Sequence, residues 1–225
     1  MKNQKSTIKT LNKNKKIKEV KIIENKIKQN IKDFKNFKIT LNDNIFTSKN
    51  KIMGFEGIAS VNYWEAVSLL LPDEINFKNR NQKPENDVVN SMLNYGYAIL
   101  ASEIAKNIVT LGLDPYCGLL HADLKRRQSL IFDLIEEFRQ QIVDKTVLTL
   151  INTKQVTTND YDQTSNMLTL DARKLIISNI MNKINSQITY KKEKTTYANI
   201  IEKQVKGIKN YLIKGTPYDG FYLRW

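Results

Sequence analysis

Cysteine and histidine are almost missing from this chain of 225 residues, and each scarcity removes a class of chemistry. Cys117 is the one cysteine, so an internal disulfide is impossible and a thiolate metal site cannot be built from this chain alone. His121 is the one histidine, so any serine–histidine acyl-transfer site would have to use that same residue. No run of about 18 uncharged apolar residues occurs, which argues against a membrane span. The N-terminus is basic but lacks the continuous apolar stretch of a signal peptide, so the cytoplasm is the expected compartment. No G-x-x-x-x-G-K-[ST] loop is present, which argues against a P-loop nucleotide engine. Alternation with period two is nearly absent, which points away from sheet-based folds.

What the chain has is lysine, and most of its excess lies at the front. Residues 1–51 carry fifteen Lys against four acids, and so hold +11 of the total +13. Such a front attracts phosphate, or is simply a solvated tail. Residues 1–16 are Lys/Asn-rich and low in complexity, and read as a disordered or frayed extension.

A helical period then sets in. Val20, Ile23, Ile27, Ile31 and Phe34 form a stripe that predicts a helix over 17–37. A second apolar segment, 52–71, predicts a helix with Glu56 near its start, where the backbone dipole favours a carboxylate. Beside it, Gly57 permits close approach of a backbone or a ligand. Residues 72–86 read as a loop, and Asp87 caps a helix over 88–111 that Gly112 ends. Further helices are expected over about 126–150, 171–187 and 194–214, with a hairpin or loop at 153–166 and an aromatic tail that packs down. The expected fold is mainly α: a single helical catalytic domain over 17–225, preceded by the basic, partly disordered extension.

The chemistry concentrates in GLDPYCGLLHADLKRRQSLIFDLIEEFR, residues 112–139. Asp133 and Glu136 stand at i and i+3 and share a helix face, with Cβ atoms roughly 5–6 Å apart. An isolated D-x-x-E is usually a solvent-facing stripe, and a lone His is usually structural. Together with His121 and the distant Glu56 they make a mostly oxygen donor set with one imidazole. That set suits Mg²⁺ or Mn²⁺, with the nitrogen tilting it toward Mn²⁺. Such an ion would polarise a phosphoryl oxygen and stabilise a leaving oxygen.

Five phrases in order resemble the CRISPR-associated adaptation integrases, which insert spacers into CRISPR arrays. They are IIENKIKQNIKDF, MGFEGIASVNYWEAVSLLL, the block FKNRNQKPEN…GLLH ending at His121, SLIFDLIEEFR, and YDGFYLRW. The resemblance implies that Glu56, His121 and Glu136 hold the metal. It assigns Asp133 to orienting the site, to a second ion or to the same ion. It implies transesterification, in which the 3′-hydroxyl of a DNA fragment attacks a phosphodiester at the repeat boundary. Lys125, Arg126 and Arg127 become candidates for DNA-backbone contact, as does Arg80, while Asn90 and Tyr97 fall near the site. Implied partners are double-stranded DNA (spacer fragments and the CRISPR repeat), a second copy of the chain, and a small dimeric adaptation partner. No membrane is expected among the partners.

Members of that family begin with a β-rich domain, and only the Lys/Asn-rich segment stands in its place here. If that β-domain is truly absent, the resemblance implies weakened dimerisation. Two alternatives stand beside the main reading: a truncated, inactive DNA- or partner-binding remnant, and a transposon-borne integrase of the same superfamily. Termination near YLRW is expected to disfavour the latter.

Overall fold

The computed structural model describes residues 1–15, 17–38, 44–81, 87–120 and 128–223. These residues form two compact units, 1–81 and 82–223, where the sequence reads as one helical domain over 17–225. The mainly α expectation holds: almost every element is a helix, and the only strands among the described residues make two short hairpins. No described helix is long and apolar enough to cross a membrane.

In the first unit, α1 (Lys2–Lys15), α2 (Lys18–Asn36) and α3 (Ile45–Leu70) pack on one another. The disorder expected over 1–16 is corrected by α1. Its buried face is made of Asn3, Gln4, Ser6 and Thr7 around a single large apolar side chain, Ile8. Composition alone gives such a face no weight, yet packing against α2 and α3 stabilises it. Asn12 ties the two helices together: its Oδ1 accepts from Ile17 N at 2.7 Å and its Nδ2 donates to Ile17 O at 3.1 Å.

The apolar stripe of α2 packs as expected, with Val20, Ile23 and Ile27 buried. Buried Asn30 donates from Nδ2 to Phe55 O on α3 at 2.7 Å. The start of α3 lies earlier than 52, because Asn44 caps it by accepting from Phe46 N at 2.8 Å. Its inner face is Ala59, Tyr63, Ala66, Val67 and Leu70.

The second unit is built around α4 (Val88–Thr110), capped as expected: Asp87 accepts from Asn90 N at 2.8 Å. Buried Asn90 also donates from Nδ2 to Asp87 Oδ2 at 2.6 Å. Gly96 lets α4 sit close to its neighbours, since a Cβ there would lie 2.5 Å from Val143 Cγ1 and 2.8 Å from Ile180 Cδ1.

The helix expected over 126–150 is three pieces in the described residues. These are α5 (Ser129–Arg139), a π-helical turn (Gln140–Asp144) and α6 (Lys145–Asn152). A 3.6-residue period cannot forecast a wider turn, which here carries Gln140, Gln141 and Asp144 into the interior. The hairpin at 153–166 is realised as β1 (Tyr161–Asp162) paired with β2 (Met167–Leu168), followed by α7 (Leu170–Asn185).

A second hairpin, β3 (Gln187–Tyr190) with β4 (Glu193–Thr196), replaces the ends expected for the flanking helices. Its two-residue turn places Lys191 and Lys192 at φ 51° and 71°. That conformation normally signals Asn-Gly, so lysines hide it. Next comes α8 (Tyr197–Lys214), which Gly215 terminates at φ 66°. The tail then packs down: Phe221 is buried, stacked on Phe138 with ring centroids 5.0 Å apart.

Candidate functional site

Asp133 and Glu136 lie one turn apart on α5, both half-buried. Leu130, Ile131, Leu134, Ile135 and Phe138 anchor the inner face of that helix. The amphipathic register therefore fixes where the two carboxylates emerge. Asp133 Oδ2 accepts from Leu119 N at 2.5 Å and from Leu120 N at 3.1 Å. The segment 113–120 is pinned to α5 a second time by Leu130 N, which donates to Pro115 O at 3.0 Å. Gly118 makes the approach possible: a Cβ there would meet Ser129 Cβ at 2.4 Å and the Ser129 carbonyl carbon at 2.9 Å. One Asp133 oxygen is thus engaged by the N–H groups of Leu119 and Leu120.

His121, Lys125, Arg126 and Arg127 lie outside the described residues. The chain enters their segment at Leu120, held on Asp133, and leaves it at Gln128, which precedes α5.

The Glu136 carboxylate is paired with Arg139, Nη1 to Oε1 at 2.7 Å. The i,i+3 spacing announces this pair, as expected where the acids and Arg139 of an ordinary helix stripe form ion pairs. Gln140 joins it with its amide turned so that the oxygen accepts from Arg139 Nε at 3.0 Å. In the same orientation the Gln140 nitrogen donates to Glu136 O at 3.2 Å. Tyr97 lies against this cluster, its ring centroid 6.0 Å from the Arg139 guanidinium carbon. Tyr97 Oη donates to Asp144 Oδ1 at 2.6 Å.

The neighbouring Glu137 does different work. It accepts from Tyr218 Oη at 2.5 Å and from Phe221 N at 2.7 Å, tying the tail to α5. Burial pushes its pKa up, against the pull of those two donors. Burial, the Glu137 charge and its hydrogen bond in turn push the Tyr218 phenol well above its usual range. Lys145 donates to Gln141 Oε1 at 2.7 Å, and burial with the Lys183 charge pushes its pKa down to about 8.

Glu56 belongs to the first unit and sits half-buried on α3, eleven residues after Ile45. The expectation that it lies near a helix start is corrected, because the dipole effect fades within the first turn. Gly54 and Gly57 flank it, and a Cβ on either would meet nothing within 4 Å. Arg80 donates from Nη1 to Asn81 O within its own loop. Cys117 is exposed, and the Asp114 carboxylate, hydrogen-bonded to the thiol, pushes its pKa up and disfavours a reactive thiolate.

Among the described residues no three His, Cys, Asp or Glu side chains gather as a metal-holding group. Carboxylate oxygens of the kind Glu56 and Glu136 each offer suit a hard dication such as Mg²⁺ or Mn²⁺, and one Asp133 oxygen is already engaged by two peptide N–H groups.

The chain belongs to the Cas1 family: residues 1–182 match the family model described as CRISPR associated protein Cas1. The CRISPR-associated protein Cas1 3 of Methanobrevibacter ruminantium is 56% identical, covering 99% of this chain and 67% of that protein. The CRISPR-associated endonuclease Cas1 1 of Archaeoglobus fulgidus is 37% identical, covering 79% of this chain and 54% of that protein. The chain thus spans between about half and two thirds of the length of these relatives. A solved casposase bound to integration product superposes with TM-score 0.72 at 27% identity, covering 97% of this chain and 61% of that one.

Proposed function

We propose that this chain is the helical catalytic region of a CRISPR-adaptation integrase, a metal-dependent DNA endonuclease that joins spacer DNA to the repeat by transesterification. The observation that carries the reading is the grip of Asp133 on the peptides of Leu119 and Leu120. Asp133 stands three residues before Glu136 on the same helix. Family membership supports the same assignment of Glu56, His121 and Glu136.

Glu136, His121 and Glu56 would hold Mn²⁺ or Mg²⁺, which supplies Lewis acidity toward a phosphoryl oxygen. Asp133 orients the peptide before His121, and Arg139 orients the Glu136 carboxylate. His121 binds a metal only as the neutral imidazole, so activity falls as pH drops through its pKa. Lys125, Arg126, Arg127 and Arg80 serve the DNA backbone, where positive side chains position the duplex without reading its sequence. Duplex DNA, a second copy of the chain and the small dimeric partner of the adaptation complex are the proposed associates.

The likeness to a casposase favours a second reading, in which the same chemistry joins other DNA. A strand-joining assay with Mn²⁺ on branched duplexes, with and without a CRISPR repeat, tests both. Glu136→Ala, His121→Ala and Glu56→Ala should each lower product at least 100-fold, about 2.7 kcal/mol or more of barrier, with the helical signal retained. Unchanged turnover in any of the three removes that residue from the site. Equal joining to repeat and non-repeat DNA favours the second reading.

A further inference from the structure

One turn beyond Glu136 the helix widens into the π turn, and the widening buries Asp144 completely. A carboxylate removed from water is costly unless donors surround it, and π turns inside helices recur at functional sites. Tyr97 provides a donor from α4, forty-seven positions away in sequence, at 2.6 Å. The ring of this tyrosine, held by that bond, lies under the Arg139 guanidinium at 6.0 Å. The guanidinium in turn holds Glu136 Oε1 at 2.7 Å. A continuous series of contacts therefore runs from a buried acid, through an aromatic ring and a cation, to the carboxylate assigned to the metal.

We propose that Tyr97 and Asp144 are positioning residues for Glu136, acting through Arg139 to set how strongly that carboxylate binds a divalent cation. This rests on the metal-site reading of Glu136 given above. The bond to Asp144 fixes the tilt of the Tyr97 ring. The ring face supports a planar cation, and a supported Arg139 offers Glu136 one orientation rather than several. Outer hydrogen-bond partners of ligating groups typically change metal affinity about 10–100-fold when lost. Tyr97 acts one contact further out than Arg139, so a loss of about 3–10-fold is expected.

Isothermal titration with Mn²⁺ alone, on the full chain, tests this without relying on turnover. Tyr97→Phe should weaken Mn²⁺ binding about 3–10-fold while the protein melts cooperatively. Asp144→Asn keeps an acceptor for the phenol and should lose less than Tyr97→Phe. In strand joining, Tyr97→Phe should raise the half-saturating Mn²⁺ concentration and regain the wild-type rate at saturation, a split that general damage to the fold does not produce. Should Tyr97→Phe fail to fold, the Asp144→Asn titration stands in its place, with weaker Mn²⁺ binding expected there too. If Glu136→Gln abolishes binding while the folded Tyr97 and Asp144 variants bind as tightly as wild type or tighter, the positioning role is overturned and the metal site stands. If Glu136→Gln binds Mn²⁺ like wild type, the metal site falls, and the positioning role falls with it.

Discussion

At the scale of single residues, two glycines beside candidate residues make opposite demands. Gly118 is pressed against Ser129, with 2.4 Å between a hypothetical Cβ and Ser129 Cβ and 3.0 Å to Asp133 Oδ2. Backbone cannot yield as a flexible side-chain tip does, so Gly118→Ala must lift the segment off α5. Overpacking of this kind costs about 1–3 kcal/mol, and the shift would also draw Leu119 N and Leu120 N away from Asp133. Gly57, one residue from Glu56, faces open space inside a helix. There alanine gains helix propensity, and Gly57→Ala should stabilise by about 0.5–1 kcal/mol. Thermal melts of the two variants should move in opposite directions. A joining assay should show Gly118→Ala impaired, because the peptides before His121 have moved. Equal melting shifts would mean that the segment relaxes at no cost.

At the scale of elements, the helices legible in the sequence were those whose buried faces are apolar and periodic. Val20, Ile23 and Ile27 announce α2, and the Asp87 cap announces α4 to within a residue. The hairpin of β3 and β4 was hidden by a lysine pair in a turn that usually advertises itself with glycine. At the candidate site the i,i+3 pair Asp133–Glu136 was legible because helical spacing is local. The Tyr97–Asp144 bond was not, because it joins elements far apart in sequence through a widened turn.

The same turn delivers Lys145 into a half-buried position beside Lys183. Its pKa near 8 in the fold lies below the ordinary 10.5. Between those values the unfolded chain binds more protons than the native one, so stability rises with pH from about 8 to about 10.5. Below 8 the charged ammonium is present in both states and the burial penalty is fully felt. Denaturant unfolding of wild type and Lys145→Met across pH 7 to 11 isolates this contribution from the tyrosines that also titrate there. The difference in stability, wild type minus variant, should grow through that window. A flat difference would show that Lys145 keeps an ordinary pKa.

At the scale of the whole molecule, the basic front is a folded helix rather than a loose tail, and this changes what it can contribute. Residues 1–16 carry six lysines and no acid. On α1, Lys2, Lys5 and Lys9 recur at helical spacing opposite the face that buries Gln4 and Ile8. The buried face itself is weakly stabilising, since Gln4 Oε1 and Ser6 Oγ are buried with no hydrogen-bond partner among the described residues. Removal of residues 1–16 should therefore lower the melting temperature only modestly, although α1 packs on both α2 and α3.

Its effect on DNA should be larger than on stability, because a helix holds its lysines in register where a frayed tail would dilute them. If all six lysines neutralised phosphates, the slope of log K against log[salt] would fall in magnitude by about 5 on truncation. With the three lysines of one helix face engaged, the fall should be about 2–3. Titrating the full chain and residues 17–225 against a short duplex, from low to physiological salt, measures this directly. A change near zero would show that α1 turns its lysines away from DNA, and a change near 5 would show that they act as a flexible arm.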